Sequence, residues 1–168
     1  MPEEIINRVA NSKLKTFDLE EIYPDGKRVV FDIKDWLFEE IILKEKDFRE
    51  FVNNHDWSQY KKSFVAIVCS SDAIIPSWAF MLVASKITPF ANKVVIGDLE
   101  LLETAIYQEL ISFLDLKSFT DSYVIIKGCS EKPVPASAFA FLIEKLQPIV
   151  KSIMFGEACS SVPLFKAK

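Results

Sequence analysis

The residues of this chain that could do chemistry gather in short polar runs, and the runs come in pairs. Cys69-Ser70-Ser71-Asp72 follows one apolar stretch, and Gly128-Cys129-Ser130-Glu131 follows another. Gly97-Asp98 and Gly156-Glu157 close two further apolar stretches, with Cys159-Ser160-Ser161 just beyond the second. Thiolates suit zinc and iron, and mixed sulfur, oxygen and nitrogen sets hold both metals. Cys129 and Cys159 lie among Gly, Ser and Pro rather than in apolar runs. They are the candidate ligands of a zinc or iron site that Glu157, Asp98 or the single histidine, His55, would complete. In a variant, Cys129 carries sulfur as a thiolate, since a Gly-Cys-Ser loop ahead of a helix N-terminus lowers a thiol pKa, with Cys129 six residues before Pro135. Glu131 and Glu157 would oppose that shift. Ser70, Asp72, Asp98, Ser130 and Glu131 make up the rest of the polar group. Asp98 and Glu157 stand at matching positions and could pair as the carboxylates of a small-molecule enzyme, although nothing names a substrate.

Each of these residues also has a plainer role. Cys69 ends a buried-looking stretch and reads as a core residue. The serines suit loop turns and caps, and Asp98 is placed to cap a helix. Glu157 has no helix to cap. His55, in Asn53-Asn54-His55-Asp56-Trp57, sits near a helix end, where the helix dipole favours a cation. The chain has no CxxC, CxxH, HExxH, P-loop, GxGxxG or GxSxG pattern. A Ser-His-Asp or Cys-His site would have to use His55, so the familiar signatures point to no enzyme class.

The polar runs are paired because the chain repeats. Slid by 59 positions, Phe64–Asp98 falls on Tyr123–Glu157 without a gap, and 9 of the 35 pairs are identical. The identities include Val65/Val124, Ile67/Ile126, Pro76/Pro135, Ala79/Ala138, Lys86/Lys145 and Gly97/Gly156. Self-similarity of this kind organises the rest of the reading. Phe64–Val68 is a continuous apolar run, as in strands buried on both faces of a parallel sheet, and Tyr123–Lys127 is the matching strand. Pro76 and Pro135 suit the first turn of a helix, giving helices over 77–88 and 135–147. Lys93–Ile96 and Ser152–Phe155 are the following strands. Asp98 opens a helix running to about Leu114, with Glu100 and Glu103 in its first turn.

Ahead of the repeat, Arg28–Phe31 and Ile41–Leu43 read as strands, 34–38 as a short helix and 47–54 as a helix. The expected fold is therefore α/β: a mostly parallel sheet sandwiched by helices, with an internal βαβ duplication over 64–98 and 123–157. The chain is expected to be one domain, with 1–24 an extended N-terminal arm and 157–168 an aperiodic tail over the sheet end. Ligands of such sheets bind beyond the carboxyl ends of the strands, where both copies place their polar runs. The helix over 77–88 is apolar nearly all round and must be covered, either within the domain or by a second subunit.

Composition bounds the rest. A chain of 168 residues, half of it apolar and rich in Phe, supports a real core. No apolar run is long enough to span a membrane. The start, MPEEIINRVANSK, lacks the pattern of a secretory signal. Net charge is −4 with scattered Lys and Arg, which argues against nucleic acid. Three cysteines, an odd number, point away from structural disulfides. A cytoplasmic protein is expected.

Five runs resemble an uncharacterised bacterial family, domain of unknown function 2480. They are Glu4–Ala10, Phe31–Phe38, Leu43–Glu50, Lys127–Pro135 and Lys151–Pro163. The Gly-Cys-Ser…Pro-Val-Pro and Gly-Glu-x-Cys-Ser segments are the distinctive ones, and the resemblance covers the whole chain. It implies no activity. It places relatives near iron–sulfur assembly genes, which implies a metal or iron–sulfur assembly partner and transfers no catalytic residue. Two readings stand beside each other: a metal or sulfur site built from Cys129 and Cys159, and a non-catalytic homodimeric interaction or assembly module.

Overall fold

The structure, a computed structural model, describes residues 13–128 and 131–168. The chain is α/β with mostly parallel sheets, as expected, but the strands form two sheets rather than one. It divides into two compact units. One is the continuous segment Pro24–Ile106, and the other combines the residues up to Tyr23 with those from Tyr107 onward.

In the Pro24–Ile106 unit the sheet is built from β2 (Arg28–Asp32), β3 (Phe64–Val68) and β4 (Lys93–Ile96), the strand that precedes them in the chain belonging to the other unit. All are parallel, with β3 in the centre. Helices α1 (Glu45–Asn54) and α2 (Ser77–Ile87) contribute to its core, in which Phe31, Ile33, Phe48, Val52, Val65, Ile67, Ala79, Val83 and Ile87 are buried. In the other unit β1 (Leu14–Phe17), β5 (Tyr123–Ile126) and β6 (Ser152–Glu157) run parallel, and β7 (Ser160–Lys166) returns antiparallel along β6. Helix α4 (Ala136–Leu146) packs into this core through Ala138, Leu142 and Leu146. Helix α3 (Leu99–Phe113) crosses the boundary between the units.

Several bonds and buried positions correspond at the 59-residue offset. Ala79, Val83 and Ile87 of α2 are fully buried, and so are Ala138, Leu142 and Leu146 of α4. Lys62 donates its N–H to the Phe90 carbonyl at 3.0 Å, and Asp121 to that of Ile149 at 2.8 Å. Asn92 donates to Ser63 at 2.7 Å, and Lys151 to Ser122 at 2.8 Å. Lys62 and Asp121 both take left-handed backbone, with φ of 60° and 56°. The correspondence reaches back further than the self-alignment did. Phe48 and Tyr107 are matched and fully buried, as are Val52 and Ile111, nearly so. Helix α1 thus answers to the last turns of α3. Each central strand is also flanked by an earlier one: Phe31 pairs with Ile67, and Phe17 with Ile126.

Several local expectations are corrected. Residues 14–17, expected in an arm, are strand β1, and Leu19 behind them is fully buried. The first twelve residues lie outside the described residues. The helix expected over 34–38 is a 3-10 turn, Ile33–Trp36, capped by Asp32. Ile41–Leu43 is no strand. Phe38 and Ile42 form a single antiparallel bridge around a turn at Glu39 and Glu40, with φ of 50° and 62°. Left-handed backbone costs a non-glycine residue about 1–2 kcal/mol. The tail is strand β7, not an aperiodic cover. Helix α2 buries one stripe only, leaving Met81 exposed.

Candidate functional site

Each unit ends its parallel strands in polar loops, and in each an acidic residue from the first strand region clamps the loop after the central strand. Asp32, the last residue of β2, accepts the Ser70 N–H on Oδ1 at 3.1 Å and the Ser70 hydroxyl on Oδ2 at 2.5 Å. The same Oδ1 accepts the Lys34 N–H at 3.0 Å and caps the following turn. Burial alone would raise the Asp32 carboxyl. The bonds from Ser70 and Lys34, with the Lys34 charge, outweigh it and hold the group below the usual carboxylate range. Asp32 is therefore an ionised clamp rather than a proton donor near neutral pH. In the other unit Asp18 caps the corresponding turn through the Glu20 N–H at 2.9 Å, and its Oδ2 lies 3.9 Å from Lys127 Nζ. There Glu20 clamps the loop, accepting the N–H groups of Glu131 and Lys132 at 2.9 and 3.2 Å.

These acids were missed by the sequence reading. Their signal is the recurrence of Lys13…Phe17-Asp18-Leu19 as Lys27…Phe31-Asp32-Ile33. Of the residues that were expected at the sheet ends, Ser70 is held by Asp32. Asp72 is exposed, and Asp98 caps α3 through the Leu101 N–H at 2.8 Å. Ser71 Oγ accepts the Ala73 N–H at 3.3 Å and meets Cys69 Sγ at 3.4 Å, and Cys69 packs against the core, as expected of it.

Cys159 has a free, exposed thiol. Strand β6 continues two residues past its pairing with β5, as Gly156 and Glu157, and turns back through Ala158 and Cys159 into β7. Glu157 and Glu131 are exposed. Gly128, which leads into the loop, lies so close to the Phe155 ring that a Cβ would stand 3.0 Å from it. Cys129 and Ser130 lie outside the described residues. Among the described residues, no three of His, Cys, Asp and Glu converge as metal ligands would.

His55 belongs to the Pro24–Ile106 unit, whereas Cys159 and Glu157 belong to the other. Its ring is surrounded by Phe31, Trp36, Trp57 and Tyr60, with centroids 4.6–5.8 Å away. Burial depresses its pKa more than the Asp56 charge restores it, so the imidazole is neutral at pH 7. Burial and the Asp56 charge raise the Tyr60 phenol. Tyr60 therefore stays protonated, its hydroxyl 2.8 Å from His55 Nε2, and the Gln59 amide NH2, which can only donate, lies 3.1 Å from the same nitrogen and makes it the acceptor. That leaves the imidazole proton on Nδ1. The matched position in the other unit is Leu114, partly buried against that unit's hydrophobic core.

No helix among the described residues is long and apolar enough to cross a membrane. The chain belongs to the family described as "Protein of unknown function (DUF2480)", which it matches over residues 3–167. No curated protein and no solved structure matches it.

Proposed function

We propose that the end of the four-stranded sheet is a cysteine-centred site that takes a soft metal ion, zinc or iron, through Cys159 and Cys129. The observation that carries this is the position of Cys159. It is a free, exposed thiol at the turn of a hairpin that runs past the carboxyl ends of β5 and β6. Cys129 follows three residues after β5 and one after Gly128, which packs on the Phe155 ring. Glu157 and Glu131 are exposed carboxylates in the same unit, available to complete a mixed set. Elemental analysis tests this on protein purified without air or chelator, beside Cys129→Ser and Cys159→Ser. Near-stoichiometric zinc or iron lost from both variants supports the site. Metal-free wild type with native-reactive thiols rejects it.

A second reading, a homodimeric assembly module, is favoured by strand β7. It is paired on one side only and turns Val162 and Leu164 outward. A free strand edge of this kind is a template for pairing with a second copy. Pro163, lacking an N–H, restricts the pairing to part of the strand. Sedimentation at micromolar concentration, with Val162→Lys/Leu164→Lys as the control, tests it. A monomeric wild type rejects it, and a dimer that the double variant dissolves supports it.

A further inference from the structure

We propose that the Pro24–Ile106 unit docks a basic amphipathic segment of a partner protein on the face around the Phe38–Ile42 turn. The turn sets Phe38, Ile41 and Ile42 about half-exposed, and Ile74 nearby is 95 % exposed. A groove lies on each side. The first, about 400 Å³, is lined by Trp36, Phe38 and Phe51 and bears Glu39, Asp47 and Glu50. The second, lined by Ile41, Ile42 and Trp78, bears Glu45 and Asp72. Apolar anchor sites under an acidic rim select a segment whose own apolar residues are flanked by Lys or Arg.

Three observations favour that occupant. First, the turn is made from Glu39 and Glu40, both with left-handed φ, where Asn-Gly would adopt the conformation with less strain. What Glu39 adds in return is a carboxylate at the mouth of the first groove. Second, a cation already lies on the groove wall, for Lys44 Nζ is 3.4 Å from the centroid of the Phe38 ring. A partner cation would find the same ring and rim. Third, the shared scaffold does not demand Asp47: fifty-nine residues on, α3 carries Ile106 in its place, whereas Glu50 recurs as Glu109.

The test uses fluorescence anisotropy with a short fluorescein-labelled leucine–lysine amphipathic peptide, and a leucine–glutamate peptide as its counterpart. The full chain should bind only the first. Phe38→Ser/Ile42→Ser and Asp47→Lys/Glu50→Lys should each weaken binding by about tenfold or more. Asp25→Lys/Glu144→Lys changes net charge equally at exposed sites elsewhere, and should weaken it by less than about twofold. Lys44→Glu should tighten binding about threefold, a gain that misfolding cannot mimic. Equal weakening by both charge-reversal pairs would reduce the effect to net charge and overturn the proposal. So would binding of the acidic peptide, no change with Lys44→Glu, a dimer dissolved by Phe38→Ser/Ile42→Ser, or face-dependent binding to phosphatidylglycerol vesicles.

Discussion

Glu103→Gln should destabilise the Pro24–Ile106 unit by about 3 kcal/mol, and Arg28→Met by about 4 kcal/mol. Arg28 Nε lies 2.7 Å from Glu103 Oε1 and Nη2 3.3 Å from Oε2, with the side chains only 14 % and 7 % exposed. A pair this buried gains its attraction against a large desolvation penalty, so removing one partner costs more than the net worth of the pair. The two variants differ because the methionine variant also loses other contacts of the arginine. Arg28 Nη1 also donates to the Pro24 and Gly26 carbonyls at 2.7 and 2.8 Å, and the guanidinium stacks 4.6 Å from the Phe64 ring centroid. With glutamine at 103, those contacts still hold the cation. With methionine at 28, the carboxylate loses its counter-charge and three further interactions of the arginine vanish. The double variant Arg28→Met/Glu103→Leu removes both charges and should return to within about 1 kcal/mol of wild type. Urea unfolding followed by tryptophan fluorescence is the assay. The chain's 3 tryptophans, Trp36, Trp57 and Trp78, all lie in this unit, so the signal reads its unfolding. Single variants within about 0.5 kcal/mol of wild type at unchanged m-value would refute a buried, coupled pair, as would a double variant no better than the sum of the two.

Lys145 Nζ donates to three carbonyls at the end of α3, those of Ile111, Ser112 and Leu114, at 2.9–3.0 Å. Lys145→Met should cost about 1–2 kcal/mol in thermal unfolding, and Lys145→Arg should recover only part of it, since a planar fork cannot gather three converging acceptors. His55 is neutral in the fold and titrates near 6.5 when unfolded. The unfolded state then binds the extra proton, so stability is full above about pH 6.5 and falls as the pH drops toward the depressed folded value. His55→Leu should flatten urea midpoints measured between pH 5 and 7.5, and an unchanged slope would reject the assignment. Gly156 has φ 121°, and a Cβ there would stand 2.6 Å from the Ser160 carbonyl oxygen. Gly156→Ala should cost about 2 kcal/mol and speed amide exchange along β6 and β7.

The βαβ segments were legible because their buried positions hold similar residues in matching order. Val65 and Ile67 recur as Val124 and Ile126, and Ala79 recurs as Ala138. The helix match was hidden by chemistry, since Phe48 and Tyr107 fill equivalent places with different side chains. The leading strands were hidden by spacing. Phe17-Asp18 and Phe31-Asp32 recur 14 residues apart, not 59, because one whole unit is inserted between β1 and the rest of its sheet. A slide at one fixed offset cannot see both. Ile41–Leu43 misled because three apolar residues in a row fit a buried strand and an exposed turn equally well. Strand β7 was masked by Pro163, which is tolerated here because β7 is an edge. The His55 surroundings drew on Phe31 and Trp36 across the fold, and no local pattern joins them to Trp57 and Tyr60.

Two halves with the same backbone bonds offer an internal control on which residues the scaffold itself demands. Positions that agree in both, such as Val65/Val124 and Gly97/Gly156, need no further explanation than the fold. The polar loops do not agree. Ser70 is matched in sequence by Cys129, and Cys69 by Gly128. In the half that has Ser70, the Asp32 carboxylate takes both its N–H and its hydroxyl, leaving that serine committed to structure. In the half that has Cys129, the equivalent acid, Asp18, turns instead toward Lys127, and the clamp passes to Glu20, which holds Glu131 and Lys132 two and three residues later. The site proposed above draws on the half whose sequence carries both Cys129 and Cys159. The acidic turn at Glu39–Glu40 and the neutral His55 are the corresponding departures of the other half, so the two units diverge at different places and toward different chemistry.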